Sequence, residues 1–389
     1  MLAHSPPLPL VVDFDADRVI TAEDKEGIMH VIEQRGRIRR IRLKIPASDL
    51  QELIMTFDEE YPVLEYLILG PSIVDSSMAL ILPETLQAPH LRHLSLECFV
   101  LPIGSRLITT ATGLVTLSLA VGHPSTYLRP SILLQWLPFM SQLETLVVLF
   151  LSPVPNRDVE RQLMHTPITT HVTLPSLRLI LFKGVAAYME EIVRRITTPR
   201  LEALDARFFE QLTFSVPRLL QFVNTTENLK YDRAKIEFFR EDVSLWFCFG
   251  EDPKTISLSV LVYCWHLDWQ VSSLAQIFNS LNQLFSPVEH LVLDYMAHSL
   301  SSEEHNEIDP TEWHKLLRSF SNVKTFRIID GLVEELSRCL RPDDGDLPLE
   351  LLPELQELTY SGSGDDGDAF KSFVDARQNA GRPVTLIRG

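Results

Sequence analysis

With 389 residues, 45% of them hydrophobic and 22% charged, the chain is long and apolar enough to bury a large core, which excludes a disordered polypeptide. Its 52 Asp and Glu against 35 Lys and Arg leave a formal charge of −17, repelling a polyphosphate backbone and an anionic membrane surface alike. Neither nucleic acid nor membrane is an expected partner.

The start of the chain has no basic run, and Pro9 interrupts its short apolar stretch, so no secretory signal is expected. No window approaches the roughly 20 apolar residues of a membrane helix. Cys98, Cys248, Cys264 and Cys339 are scattered without a C-x-x-C pair, which argues against a zinc cluster or a disulfide framework. A reducing compartment, cytoplasm or nucleus, fits this cysteine usage.

In chain order, "LPLVVDFD" from Leu8 reads as a first strand, and "RGRIRRIRLK" from Arg35 as another. Strand alternation sends Ile38, Ile41 and Leu43 inward and Arg40, Arg42 and Lys44 outward. The three cations read either as a solvated strand face or as an anion-attracting end of a binding surface. A helix follows in "ASDLQELIMTF", where Ser48 and Gln51 have the spacing of a capping box.

From there one frame recurs, L-x-x-L-x-L with Ile, Val or Phe substituting. It starts at Ile38, Leu64, Leu91, Leu114, Leu143, Leu177 and Leu201, and again at Val288, Val323 and Leu355. The first seven starts lie 26, 27, 23, 29, 34 and 24 residues apart, the leucine-rich-repeat length, stretched and irregular. Many frames follow a proline phrase such as "APH", "LPS", "TPR" or "LPE". Helical spacing fills the gaps, as in "VAAYMEEIVRRI" from Val185 and "VSSLAQIFNSLNQLF" from Val271. "DPTEWHKLLRSF" adds Asp309 as cap, Pro310 at the first position and Glu312 at the third.

The recurring unit predicts an α/β fold: an irregular leucine-rich-repeat solenoid, with a curved parallel sheet and helices on the convex side. The array spans residues 1–389. Residues 229–263 carry three strand-like runs with little room for helices, and read either as degenerate repeats or as a β-rich insertion.

Several motifs point to chemistry and are better explained otherwise. Gly362-x-Gly364-x-x-Gly367 has the outline of a dinucleotide fingerprint, but Asp365, Asp366 and Asp368 stand where a pyrophosphate would approach. The run from Glu303 to His314 is rich in acids and histidines yet matches no ligand spacing. No nucleophile elbow or Cys–His signature is present. The 15 glycines are roughly half the average share, poor material for phosphate loops. No catalytic residue, metal ligand or cofactor is expected.

The remaining expectation is a protein ligand on the sheet face that the helices leave open. Alternation places there Arg40, Arg42, Lys44, Tyr66, His93, Glu97, Val147, Leu149, Leu179 and Leu181, then Asp205, Arg207, His290 and Arg327. Val147, Leu149, Leu179 and Leu181 form an apolar group on adjacent strands, either an interaction patch or a surface under a covering loop.

The phrases "APHLRHL" from Ala88, "SPVPNRDVERQL" from Ser152, "THVTLPSLR" from Thr170 and "LTFSVPRLLQFVNTTENL" from Leu212 resemble the fungal F-box-like proteins with irregular leucine-rich repeats. The resemblance implies the substrate-recognition part of a cullin-RING ubiquitin-ligase receptor, whose F-box docks on the ligase adaptor. No F-box module is evident here: its opening phrase L-P-x-E-[ILV]-L does not precede the repeats, and "LPLEL" at Leu347 comes too late. The adaptor is an expected partner only if an F-box is encoded upstream. The sequence leaves two alternatives: a nucleotide-binding enzyme using the Gly362, Gly364 and Gly367 loop, and a repeat-type inhibitor or immune receptor unconnected with ubiquitin.

Overall fold

The computed structural model describes residues 8–16, 20–57, 59–73, 78–102, 104–153, 171–211, 214–250, 256–279, 287–296, 309–329, 331–341, 350–361 and 369–389. The chain forms two compact units, Met1–Glu202 and Ala203–Gly389.

The long strands of the first unit are β1 (Leu10–Asp15), β2 (Ile38–Ile45), β3 (Tyr66–Pro71), β5 (His93–Glu97), β7 (Thr116–Val121), β8 (Thr145–Phe150) and β10 (Leu179–Gly184). They pair in that order, all parallel. Four two-residue strands form two small parallel pairs, β4 (Leu80–Ile81) with β6 (Phe99–Val100) and β9 (Val172–Thr173) with β11 (Ile196–Thr197). Helices at Ala22–Ile32, Ala47–Ile54, Arg106–Thr110, Pro130–Trp136 and Ala186–Val193 lie between the strands.

In all ten frames, across both units, the three apolar positions are no more than 3% exposed. The second and third lie in the strand, on the side facing the helices, because side chains two apart share a face. The first closes a tight turn. Leu64, Leu91, Leu114, Leu143, Leu177, Leu201, Val323 and Leu355 each donate their N–H to the carbonyl three residues back, at 3.0–3.4 Å. Pro62, Pro89, Pro175, Pro199 and Pro353 occupy the second position of that turn, where a φ fixed near −65° is already correct. The proline phrases are therefore turn signals. Burying each leucine in this way stabilises the fold by about 2 kcal/mol before the entropy of ordering it.

The second frame position carries register information. Arg39 meets Glu65 at 2.9 Å and Arg178 meets Glu202 at 3.2 Å, on neighbouring parallel segments. In the second unit Lys324 meets Glu289 at 2.8 Å. Such exposed pairs contribute little to stability because solvent screens them, and a register slip would separate them.

The second unit contains β12 (Ala203–Phe208), β13 (Arg233–Phe238), β14 (Asp242–Cys248), β15 (Ile256–Tyr263), β16 (His290–Tyr295), β17 (Thr325–Ile329), β18 (Glu357–Ser361) and β19 (Thr385–Arg388). Its spatial order is β12-β15-β14-β13-β16-β17-β18-β19. A purely parallel sheet is not what forms here. β13, β14 and β15 make an antiparallel meander laid into the sheet in reverse, with parallel pairing at both flanks. The reason is chain length: residues 239–241 joining β13 to β14 can only make a hairpin, since a parallel return needs a dozen or more residues. Among the described residues, helices run at Pro217–Thr225, Leu267–Asn279, Pro310–Arg318, Val333–Cys339 and Lys371–Asn379. The architecture of both units is α/β and leucine-rich-repeat in kind, with a mostly parallel sheet.

Helix starts were partly legible. Asp309 caps its helix by accepting from the Thr311 N–H at 2.9 Å, with Pro310 at the first position. The Ser48 cap does not form, because the helix already begins at Ala47 behind Pro46. Gln51 instead clamps the Ile81 backbone, donating to its carbonyl at 3.1 Å and accepting from its N–H at 2.8 Å. A true capping box occurs at Thr21 and Asp24, a T-x-x-D signal that the sequence reading passed over.

Candidate interaction face

Since the frame leucines face the helices, the alternate side chains of each strand lie on the opposite, helix-free face. In the first unit they form three rows along the sheet. The first contains Arg40, Tyr66, His93, Thr116, Thr145 and Leu179, and the second Arg42, Ile68, Ser95, Ser118, Val147 and Leu181. The third contains Lys44, Gly70, Glu97, Ala120, Leu149 and Lys183.

The basic residues of β2 do not form an open anion-attracting end. Arg42 reaches Asp13 at 3.1 Å and Asp15 at 2.7 Å, and Arg40 lies 3.7 Å from Asp13. Lys44 pairs with Glu97 across the intervening strand. That crossing depends on Gly70: a Cβ there would stand 2.9 Å from Glu97 Oε2, 3.0 Å from Glu97 Cβ and 3.2 Å from Lys44 Nζ. Gly70→Val should cost about 1–3 kcal/mol in urea unfolding, and measurably less in a Glu97→Ala background that removes the obstruction.

Beside these pairs, the Arg40 guanidinium sits 5.9 Å over the Tyr66 ring. Tyr66 stacks on His93 at 4.3 Å and 6°, and His93 Nδ1 is 3.1 Å from Thr116 Oγ1. Burial first, and the Arg92 charge second, push the His93 imidazole below its ordinary value. The folded state therefore favours neutral His93. Its contribution to stability is complete above the unfolded value near 6.5 and is lost as pH falls through it toward the lower folded value. The melting temperature should drop between about pH 7.5 and 5.5, and drop less in His93→Gln.

At the other end of the face the polar rows become apolar. Leu181 lies opposite Val147, and Leu149 opposite Ala120 and Lys183, in register on β7, β8 and β10. Val147, Leu149, Leu179 and Leu181 are half-buried, whereas their chain neighbours Val148 and Ile180 are 3% exposed.

The four remaining predicted residues belong to the second unit. Asp205 and Arg207, two apart on β12, hold each other through contacts of 3.2 and 2.7 Å, so neither offers an isolated charge. His290 Nδ1 lies 2.7 Å from Thr325 Oγ1, the same His–Thr arrangement as in the first unit. Arg327 is exposed between Val292 and Thr359. Sequence reasoning missed Lys235, which pairs with Glu237 at 2.6 Å and Asp294 at 3.0 Å beside the half-buried Trp246. Alternation within "AKIEFF" was the signal that could have found it.

The Gly362, Gly364 and Gly367 loop and residues 303–308 lie outside the described residues. His314, beyond the latter, sits 2.9 Å from the Cys339 carbonyl. Among the described residues no group of three or more His, Cys, Asp and Glu could hold a metal ion, and no helix is long and apolar enough to cross a membrane. The four cysteines are unbridged. Burial pushes the thiols of Cys264 and Cys339 up to about 12, and raises those of Cys98 and Cys248. None is an activated thiolate.

No protein-family model matches the chain, and no curated protein matches it. Among solved structures, the leucine-rich repeat-containing protein LegL7 from Legionella pneumophila is similar over 92% of this chain and 91% of its own, at 10% identity and a TM-score of 0.31.

Proposed function

We propose that the chain is a non-catalytic protein-interaction scaffold whose first unit takes a protein partner on its helix-free face. The observation that carries this reading is the half-buried apolar group of Val147, Leu149, Leu179 and Leu181 on the paired strands β8 and β10, with Val147 directly opposite Leu181. Apolar side chains left partly in water gain free energy when a partner covers them. The paired charges and the Tyr66–His93 stack form the polar rim such a patch usually has.

A narrower form of the reading is the substrate-recognition part of a cullin-RING ubiquitin-ligase receptor. Its support is the resemblance of the connecting phrases to fungal F-box-like proteins.

Affinity purification from native cells tests both. Proteins recovered with the parent chain but lost with the Leu179→Asp, Leu181→Asp pair are the partners of this face. An unchanged set of proteins, with circular dichroism also unchanged, sinks the assignment of the face. Recovery of the cullin adaptor supports the ligase form, and face-dependent partners without it leave the general scaffold.

A further inference from the structure

The second unit carries a surface of different chemistry. After β15 ends at Tyr263, the chain runs through Cys264, Trp265 and His266 into the helix Leu267–Asn279. Trp265 is 54% exposed and Trp269 is 52% exposed, whereas Trp136 and Trp313 are each 1% exposed. Large indoles left in water four residues apart, one just before the helix and one in its first turn, are unusual, and tryptophan is enriched where partners bind.

These rings sit on a fixed mount. Gln270, 1% exposed, donates its amide to the carbonyls of Phe239 at 2.8 Å and Cys264 at 2.9 Å. The Cys264 N–H donates to the Glu241 carbonyl at 3.0 Å, and the Trp269 ring meets His266 edge-on at 5.2 Å. The backbone that carries both indoles is therefore held in place, which lowers the ordering cost a ligand must meet.

The surroundings are acidic. Asp242 lies opposite Tyr263 in the β14–β15 pair, Asp268 adjoins Trp269 along the chain, and Glu210 follows β12, whose Phe208 lies opposite Val262; the charges of all three reach the Cys264 thiol. Glu241 adjoins Asp242 in the hairpin and helps burial to raise that carboxyl. Among the described residues, the cations on these segments are Arg240, in the hairpin turn, and Arg207, which Asp205 holds. Four carboxylates outnumber them.

We propose that Trp265, Trp269 and the surrounding carboxylates form a docking site for a polypeptide segment bearing Arg or Lys side chains. An indole face attracts a cation, and the planar guanidinium both stacks on the ring and pairs with carboxylates. An acidic segment would be repelled. A purely apolar one would strip water from carboxylates without replacing it.

The test titrates the full chain with a capped peptide of alternating Arg and Gly, against a matched Glu–Gly peptide, by calorimetry. Binding of the Arg peptide should saturate, and should weaken as salt rises from about 50 to about 300 mM. Trp265→Ala with Trp269→Ala should weaken it about tenfold or more. Glu210→Gln with Glu241→Gln, both at exposed positions, should weaken it about threefold and flatten the salt dependence. If the alanine pair disturbs the circular dichroism, Trp265→Phe with Trp269→Phe carries the test, with a loss of about threefold expected of the weaker cation acceptor. Absence of saturable binding, equal binding of the Glu peptide, or an affinity indifferent to the tryptophan variants overturns the proposal.

Discussion

Ile180→Asp should destabilise the first unit by about 4 kcal/mol or more, while Leu181→Asp, one residue along the same strand, should change it by no more than about 1 kcal/mol. Ile180 is the second apolar position of its frame, 3% exposed and turned toward the helices. A carboxylate placed there has no partner and no water, so it must either be protonated at a cost or force the strand out. Leu181 lies on the other face, half-buried beside Val147 and reachable by solvent. Urea unfolding followed by circular dichroism measures both. Equal and large losses would show that the helix-free face is core at this point, and the proposed binding surface would fall with that result. The pair also protects the binding experiment: a variant that keeps its fold and loses its partner reports on recognition alone.

Arg377→Leu is the second large effect, an expected loss of about 3–5 kcal/mol. Arg377 lies in the helix Lys371–Asn379 and is 0% exposed. Its guanidinium donates to the carbonyls of Leu351 and Leu352 at 3.3 Å each, of Pro353 at 3.1 Å and of Leu355 at 3.4 Å, and lies 5.7 Å from the Phe373 ring. Burial, and the Arg382 charge after it, lower its pKa from the ordinary arginine value. Four carbonyl dipoles thus take the place of a carboxylate.

The turn so held is the one that opens the last frame, and it contains Leu352 at φ 49°, a left-handed conformation that a leucine adopts only when its surroundings impose it. Leucine at 377 would fill the space but take the guanidinium donor from the carbonyls of Leu351, Pro353 and Leu355, while Leu352 keeps its bond from the Leu355 N–H. Lysine keeps the charge and loses the planar fork, so Arg377→Lys should recover only part of the stability. Thermal unfolding reads the loss, and amide exchange across residues 350–361 localises it. A change below about 1 kcal/mol would mean that the carbonyls find other donors.

Nothing in "KSFVDARQNA" marks Arg377 as buried, since a polar helix with one apolar stripe usually keeps its arginines in water. The leucine frames were legible for the opposite reason. A strand's alternation is local, so Leu91, Leu94 and Leu96 show their shared burial without knowledge of any neighbour. The same alternation puts Arg40, Arg42 and Lys44 on the face away from Ile41 and Leu43.

Whether those cations attract a ligand was not a local question. It depends on β1 lying beside β2 with Asp13 and Asp15 in reach, and on Gly70 leaving a gap through which Lys44 meets Glu97, 53 positions along the chain. The order of the meander is tertiary in the same sense: short connections dictated hairpins, but only packing decided that β15 lies against β12 and β13 against β16. The sequence by itself therefore determined which side chains are core, where the repeats turn, and which face remains open, because these follow from one strand's period and one turn's geometry. The tertiary structure decided which charges cancel, which arginine is buried, and where apolar side chains stay half in water, because each of these depends on neighbours brought together from distant parts of the chain.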